Sequence, residues 1–329
     1  MYESAGAFSE NRSADGGLYV PEGIPAYSRA DLDRLGSGSV NAAISEIWNA
    51  FFDGELTPWD LDFSVGRSWV RLRPIERKMI LAEPWHNPEG EMAYFLRFLS
   101  ERRNAPWAFW AKTAAKISVL GSCLALAGRN GTLGKREKAD IACISGDLSG
   151  VLAGIYLKRM GFPVGTVVCC CNENNSVWEL IHLGTLRTDG VCIPTRTRLA
   201  DTVLPEGLEH FLWLLGGERS AVDYAKAAYM GLSYTPSEEL LKVLQREVYV
   251  SVVSDNRMAF AAAGVLQTTG CLVSPYDALC YAGVQDYRAK SGQNRMCLVL
   301  SQRDPALDAT VLADALGIPG KQIEAYLRR

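Results

Sequence analysis

From residue 139 onward short apolar runs alternate with helical patterns, and no other feature narrows the fold of this chain as much. Asp140–Ile144, Val164–Cys171, Val191–Ile193, Val248–Val253 and Cys297–Leu300 read as strands. Leu148–Met160, Ser176–Leu183, Glu206–Leu215 and Arg257–Gln267 read as helices. A further helix opens at Pro275, a favoured first-turn position, and short ones follow Asp308 and Pro319. Strands that are apolar throughout, rather than in alternate positions, need cover on both faces. The expected fold class is therefore α/β, a doubly wound, mainly parallel sheet.

The first part of the chain has a different texture. Asp31 begins one helical pattern and Val40–Phe52 is another, with Ala43, Ile44, Ile47, Trp48 and Phe51 at helical spacing. The aromatic-rich stretch through Trp59, Phe63, Trp69 and Val70 continues as mainly helical, and Met79–Ala82 reads as a strand stopped by Pro84. Helices are expected near Glu89–Arg103 and Trp107–Ala127, the second apolar nearly all round and hence buried. Gly128–Lys135 has the wrong glycine spacing for a phosphate loop and reads as a turn. These textures divide the chain into residues 1–82, a connecting region 83–134 and an α/β domain 135–329.

Composition excludes several roles. A net charge of -3 without a long Lys/Arg run argues against nucleic acid and anionic membranes as partners. The N-terminus lacks a signal-peptide profile, and the apolar run Ile117–Ala127 is too short to span a bilayer, so a cytoplasmic location is expected. Nine cysteines show no C-x-x-C pair and no histidine at zinc-ligand spacing, so no metal site is expected. Cys169-Cys170-Cys171 falls in an apolar strand, where cysteine serves as a small packing residue.

Five segments in register carry a resemblance. Ala14-Asp15-Gly16-Gly17-Leu18-Tyr19-Val20-Pro21, Ile144–Gly154 with Lys158–Gly161, Asn172-Glu173-Asn174, Leu208–Trp213 and Pro275–Ala278 resemble motifs of the threonine synthase family. That family belongs to the fold type II enzymes that use pyridoxal phosphate (PLP). The resemblance implies the PLP fold type II sheet, a mostly helical N-terminal unit and a phospho-lyase ancestry in threonine biosynthesis. It also implies a cofactor-phosphate loop at Ser145, Gly146, Asp147, Ser149 and Gly150.

The departures from the family are as informative. The segment matching the family's Schiff-base lysine motif is His86–Tyr94, and Ala93 stands where the lysine is expected. No lysine lies between Lys78 and Lys112. A methyl group can neither condense with an aldehyde nor move a proton. Trp110-Ala111-Lys112 resembles a segment that in the family lies beyond a small α/β lobe, so that lobe is expected to be missing. Asp147 replaces an asparagine in the phosphate loop, where a carboxylate facing a phosphate dianion would be repulsive. Gln302 stands at the position facing the pyridine nitrogen.

The expectation is a threonine synthase-like protein without catalysis and without bound cofactor, kept to bind a small anion or a protein partner. The alternative is an active PLP enzyme that recruits another amine, Lys112 first. His86 is a candidate remnant, whereas His210 lies within a helix and reads as packed. Leaving the resemblance aside, Asp147 and Asp277 at strand-end loops could bind a ligand, although helix N-capping is the simpler role for both. Loss of a lobe would expose apolar surface, so a homodimer is expected across residues 85–115, with Trp85, Trp107 and Trp110 at the contact.

Overall fold

A computed structural model describes residues 4–52, 54 and 56–327. The N-terminal part contains α1 (Ser4–Ser9), α2 (Arg29–Ser37), α3 (Val40–Asn49) and α4 (Pro58–Ser64). Serine or threonine caps three of them: Ser28 and Thr57 form reciprocal boxes with Asp31 and Asp60, and Ser39 accepts from Ala42 N–H. β1 (Arg71–Glu76) and β2 (Met79–Glu83) then form an antiparallel pair. β1 was not legible in the sequence, because it is an edge strand with mixed exposure and a proline that an edge tolerates.

α5 (Ala93–Arg103) ends at Asn104, whose left-handed backbone (φ 47°) turns the chain, and α6 (Phe109–Arg129) follows at once. Residues 104–108 are all that separates the two helices, so the small lobe has no counterpart there. The remainder runs β3 (Ala139–Ile144), α7 (Ser149–Arg159), β4 (Val164–Cys171), α8 (Ser176–His182), α9 (Leu208–Tyr229) and α10 (Glu238–Glu247). It closes with β5 (Val248–Val252), α11 (Asp255–Thr269), α12 (Pro275–Ser291), β6 (Cys297–Leu300), α13 (Ala309–Leu316) and α14 (Gly320–Leu327).

The sheet has the order β1-β2-β6-β3-β4-β5, parallel except for the β1–β2 pair. Its layout matches the expected mainly parallel, doubly covered α/β class. Residues 191–193 form no strand; Ile193 exchanges backbone bonds with the Asn174 side chain instead of a neighbouring strand, and Val191 is exposed. α9 runs past the expected end, with a kink at Gly217 (φ 79°) that only glycine adopts cheaply. α10 was also unanticipated.

One face of the sheet is covered by α6 and α7, with α2 and α3 stacked outside α6, and the other by α11 and α12. This sandwiching explains why α6 is apolar on nearly every side. At Gly121 a Cβ would stand 2.7 Å from Ile47 Cδ1 and 3.1 Å from Leu157 Cδ2, so the helices meet where no side chain fits. Cys169, Cys170 and Cys171 are fully buried on β4, and all nine cysteines are free thiols. Among the described residues no helix is long and apolar enough to cross a membrane.

Trp85, Trp107 and Trp110 do not form the open apolar contact expected of them. Trp85 and Trp110 are buried and Trp107 packs on the core. Trp110 is held between Tyr156 and His210, with ring centroids 5.4 and 5.5 Å away. The direct passage from α5 to α6 lets these rings pack inward.

Candidate functional site

In an open α/β sheet ligands bind beyond the carboxyl ends of the strands. Here those ends deliver Glu83 (β2), Ser301 (after β6), Ser145 (after β3) and Asn172 (after β4). The residues singled out in the sequence gather around the same edge.

Ala93 is the first residue of α5. The turn before it is organised by Asn87, whose side chain accepts from Glu89 and Gly90 N–H and donates to the Glu91 carbonyl. Backbone bonds then stitch this turn to the segment after β6: Met92 N–H donates to Gln302 O (3.2 Å) and Asp304 N–H to Gly90 O (2.7 Å). These bonds bring the residue before Ala93 against Gln302. The side chain at 93 is a methyl group, and Gln302 is partly buried with only a long 3.5 Å bond to Leu300 O.

The loop after β3 is organised around Asp147. Its carboxylate accepts from the Ser149 N–H (2.9 Å) and from the Ser149 hydroxyl, at the first turn of α7. Lys112 Nζ lies 3.0 Å away and Lys116 Nζ 3.6 Å away, both from α6, and Lys112 also reaches Glu206 at 2.9 Å. Burial alone would raise the Asp147 carboxyl pKa, but Lys116, Lys112 and the Ser149 bonds hold it well below the usual range. The expected repulsion therefore takes another form: the carboxylate sits at the helix N-terminus itself, neutralised by two cations. Burial pulls the Lys112 pKa down, yet Asp147 and Glu206 more than offset this, so the amine is a paired ammonium.

Covering segments close over this loop. Gly207 N–H donates to Asp147 O (3.0 Å), and a Cβ at Gly146 (φ 23°) would stand 2.6 Å from Leu199 O. Leu148 holds an unusual left-handed backbone (φ 63°) with its side chain fully buried. Ser145, Gly146, Ser149 and Gly150 are buried too, leaving Asp147 as the partly exposed member. Ser145 Oγ has no hydrogen-bond partner and lies beside the Cys171 thiol.

A second polar group lies at the ends of β2 and β6. Buried Glu83 accepts from Arg73 (2.6 Å) and faces His86 Nε2 at 2.9 Å, while Trp85 stacks on His86 and donates to Ser301 Oγ. Asp277 accepts from Ser274 and Ser301 and forms a capping box with Ser274, so its role is helix capping. Burial, with Glu83 nearby, raises its pKa to about 6 against the opposing Ser274, Ser301 and Arg73. At the end of β4, Asn172 and Asn174 donate to Asp201 at 2.7 and 3.2 Å. His210 is buried and bonded to the Tyr156 hydroxyl at 2.7 Å; burial lowers its pKa to about 4, so it is a neutral packed residue.

Lys116, Glu206, Asp201 and Glu83 were not anticipated. Lys116 alone left a signal, as a second cation one turn beyond Lys112 in an otherwise apolar helix.

The sheet order and its covering helices match the PLP fold type II enzymes, and the fold is similar to that of threonine synthases of known structure. A PLP-bound threonine synthase from Brucella melitensis superposes with a TM-score of 0.80 at 14% identity, covering 99% of this chain and 92% of that one. The yeast threonine synthase gives 0.82 at 14% identity, covering 98% and 91%. In sequence, the chain is similar to a threonine synthase of Eremothecium gossypii, 29% identical over 77 residues, which is 23% of this chain and 15% of that protein. It is also similar to mouse threonine synthase-like 1, 25% identical over 185 residues, 54% of this chain and 24% of that protein. The matched segments thus span less than a quarter of these curated relatives. No family model matches the chain.

Proposed function

We propose that this threonine synthase-like protein performs no PLP-dependent catalysis and binds no PLP, and that it acts as a binding or interaction protein. The observation that carries the reading is Ala93: the first turn of α5 offers no amine. The lysines on α6 nearest the loop, Lys112 and Lys116, are engaged by Asp147. The residues do not fit the cofactor in a second respect, because the anion position at the start of α7 is taken by the chain's own carboxylate. A dianion placed there would meet Asp147 at a cost of about 1 to 4 kcal/mol for each unit charge at 4 Å.

The test is incubation of the purified protein with PLP, followed by borohydride reduction and peptide mapping. The expected result is no retained visible absorbance and no labelled lysine. A reduced adduct on Lys112, or turnover of O-phosphohomoserine, would overturn the proposal.

Interaction through a homodimer remains part of the proposal, at a different place from residues 85–115. A groove of about 510 Å³ between the N-terminal segment and α9 is bordered by Leu18, Trp213, Val222, Tyr229 and Met230. Tyr229 is 93% and Met230 65% exposed, so open apolar surface lies here. Light scattering is expected to show a dimer at high concentration; a strict monomer would remove this part.

A further inference from the structure

We infer that Asp147 is a tethered anion: its carboxylate takes the place of a bound oxyanion at the N-terminus of α7, so that the loop is closed and stable without a ligand. The location rests on the reading of residues 145–150 as a former phosphate loop. The inference itself rests on what the carboxylate touches.

A helix N-terminus attracts anions because its first N–H groups lack partners inside the helix. α7 begins at Ser149, and both the N–H and the hydroxyl of Ser149 donate to Asp147 Oδ1. Two ammonium groups from α6 complete the surroundings, Lys112 against Oδ2 and Lys116 against Oδ1. Lys116 is 8% exposed, and a cation so placed needs a nearby anion. Two cations, a backbone N–H and a hydroxyl around one negative group would equally suit inorganic phosphate or sulfate. Separately from the carboxylate, the backbone carbonyl of Asp147 accepts from Gly207 N–H. Lys112 reaches the same segment through Glu206. The carboxylate therefore ties α6 to α7, a task that a bound anion could perform only while it stayed bound.

The inference makes a conversion possible. Replacing the carboxylate with nothing, as in Asp147→Gly, or with a methyl group, as in Asp147→Ala, leaves the two lysines and the Ser149 donors facing an unfilled position. Inorganic phosphate is then expected to bind about tenfold or more tightly than to the wild type, from the charge difference alone. Because a ligand of the folded state stabilises it, phosphate should raise the melting temperature of both variants by a few degrees. The wild type should show no such shift beyond that of sodium chloride at equal ionic strength. Adding Lys116→Met to Asp147→Ala should abolish the rescue.

Wild type stabilised by phosphate as much as the variants would overturn the inference, as would folded variants that phosphate does not stabilise. If Asp147→Gly fails to fold, Asp147→Ala gives the same reading. Failure of both to fold even in saturating phosphate also overturns it, because the anion would then be unable to replace the carboxylate. None of these outcomes involves PLP, so they are distinct from the reduction experiment that tests the absence of catalysis.

Discussion

The start of α5 and the loop after β3 both depart from the threonine synthase pattern, and they depart in opposite senses. At Ala93 a group is absent and little around it had to change: the turn from Asn87 to Met92 is held by its own backbone and by the segment after β6. At Asp147 a group is present, and it is surrounded by Lys112, Lys116 and Ser149 and roofed by Leu199 and Gly207. A lost amine costs a fold almost nothing. An added, partly buried carboxylate costs several kcal/mol unless cations and donors are supplied. The first position offers no amine, and the second is embedded in a network of charges and donors.

The sharpest way to break this contrast is Asp147→Ala. It strands Lys116 in the interior and should destabilise the protein by about 3 kcal/mol, toward the lower end for a buried pair because Asp147 keeps 28% of its side-chain exposure. Urea denaturation reads the loss. The depressed pKa sets its pH dependence: the contribution should be complete above the ordinary value of 3.8 and fade as pH falls through the lower folded value. An effect near zero would mean that the network is decorative.

Asp277 supplies a control of opposite sign at the same sheet edge. Its folded pKa is raised from 3.8 to about 6, so the folded state holds a proton that the unfolded state has released across that interval. Its contribution should decline by about 2 to 3 kcal/mol between pH 4 and 7. The stability difference between wild type and Asp277→Asn, followed across pH, isolates it; a flat difference would show that the group titrates normally.

Gly207→Ala tests the cover over the loop. Its Cβ would fall 2.2 Å from Phe109 Cζ and 2.7 Å from Asp147 O, so a loss of about 1 to 2 kcal/mol is expected in thermal melts. The smallest effect belongs to Ala93→Lys, on a partly exposed first turn, with stability unchanged within about 0.5 kcal/mol. This variant should still give no borohydride-reducible PLP adduct, since the loop position stays filled. Adduct formation by this single change would erase the distinction between the two regions.

Much of the scaffold could be read from residue order. Strands such as Val164–Cys171 are apolar throughout and α6 is apolar nearly all round, and periodicity of that kind is local information. The edge strand Arg71–Glu76 was not readable, because half its residues face solvent and its only partner is β2. The irregular path of residues 191–193 was hidden for the opposite reason: an apolar triplet looks like a strand until Asn174 captures its backbone. At the site, Ala93 was legible as a missing lysine. The pairing of Asp147 with Lys112 and Lys116 was not, since those residues lie 35 and 31 positions away.

Sequence alone therefore determined the parallel, doubly covered sheet and the loss of the amine, because hydrophobic period and side-chain identity are properties of neighbouring residues. Only the tertiary structure showed which groups Asp147 meets. A carboxylate's effect depends on the charges within a few ångströms, and here folding brought two helices and a distant turn to meet it.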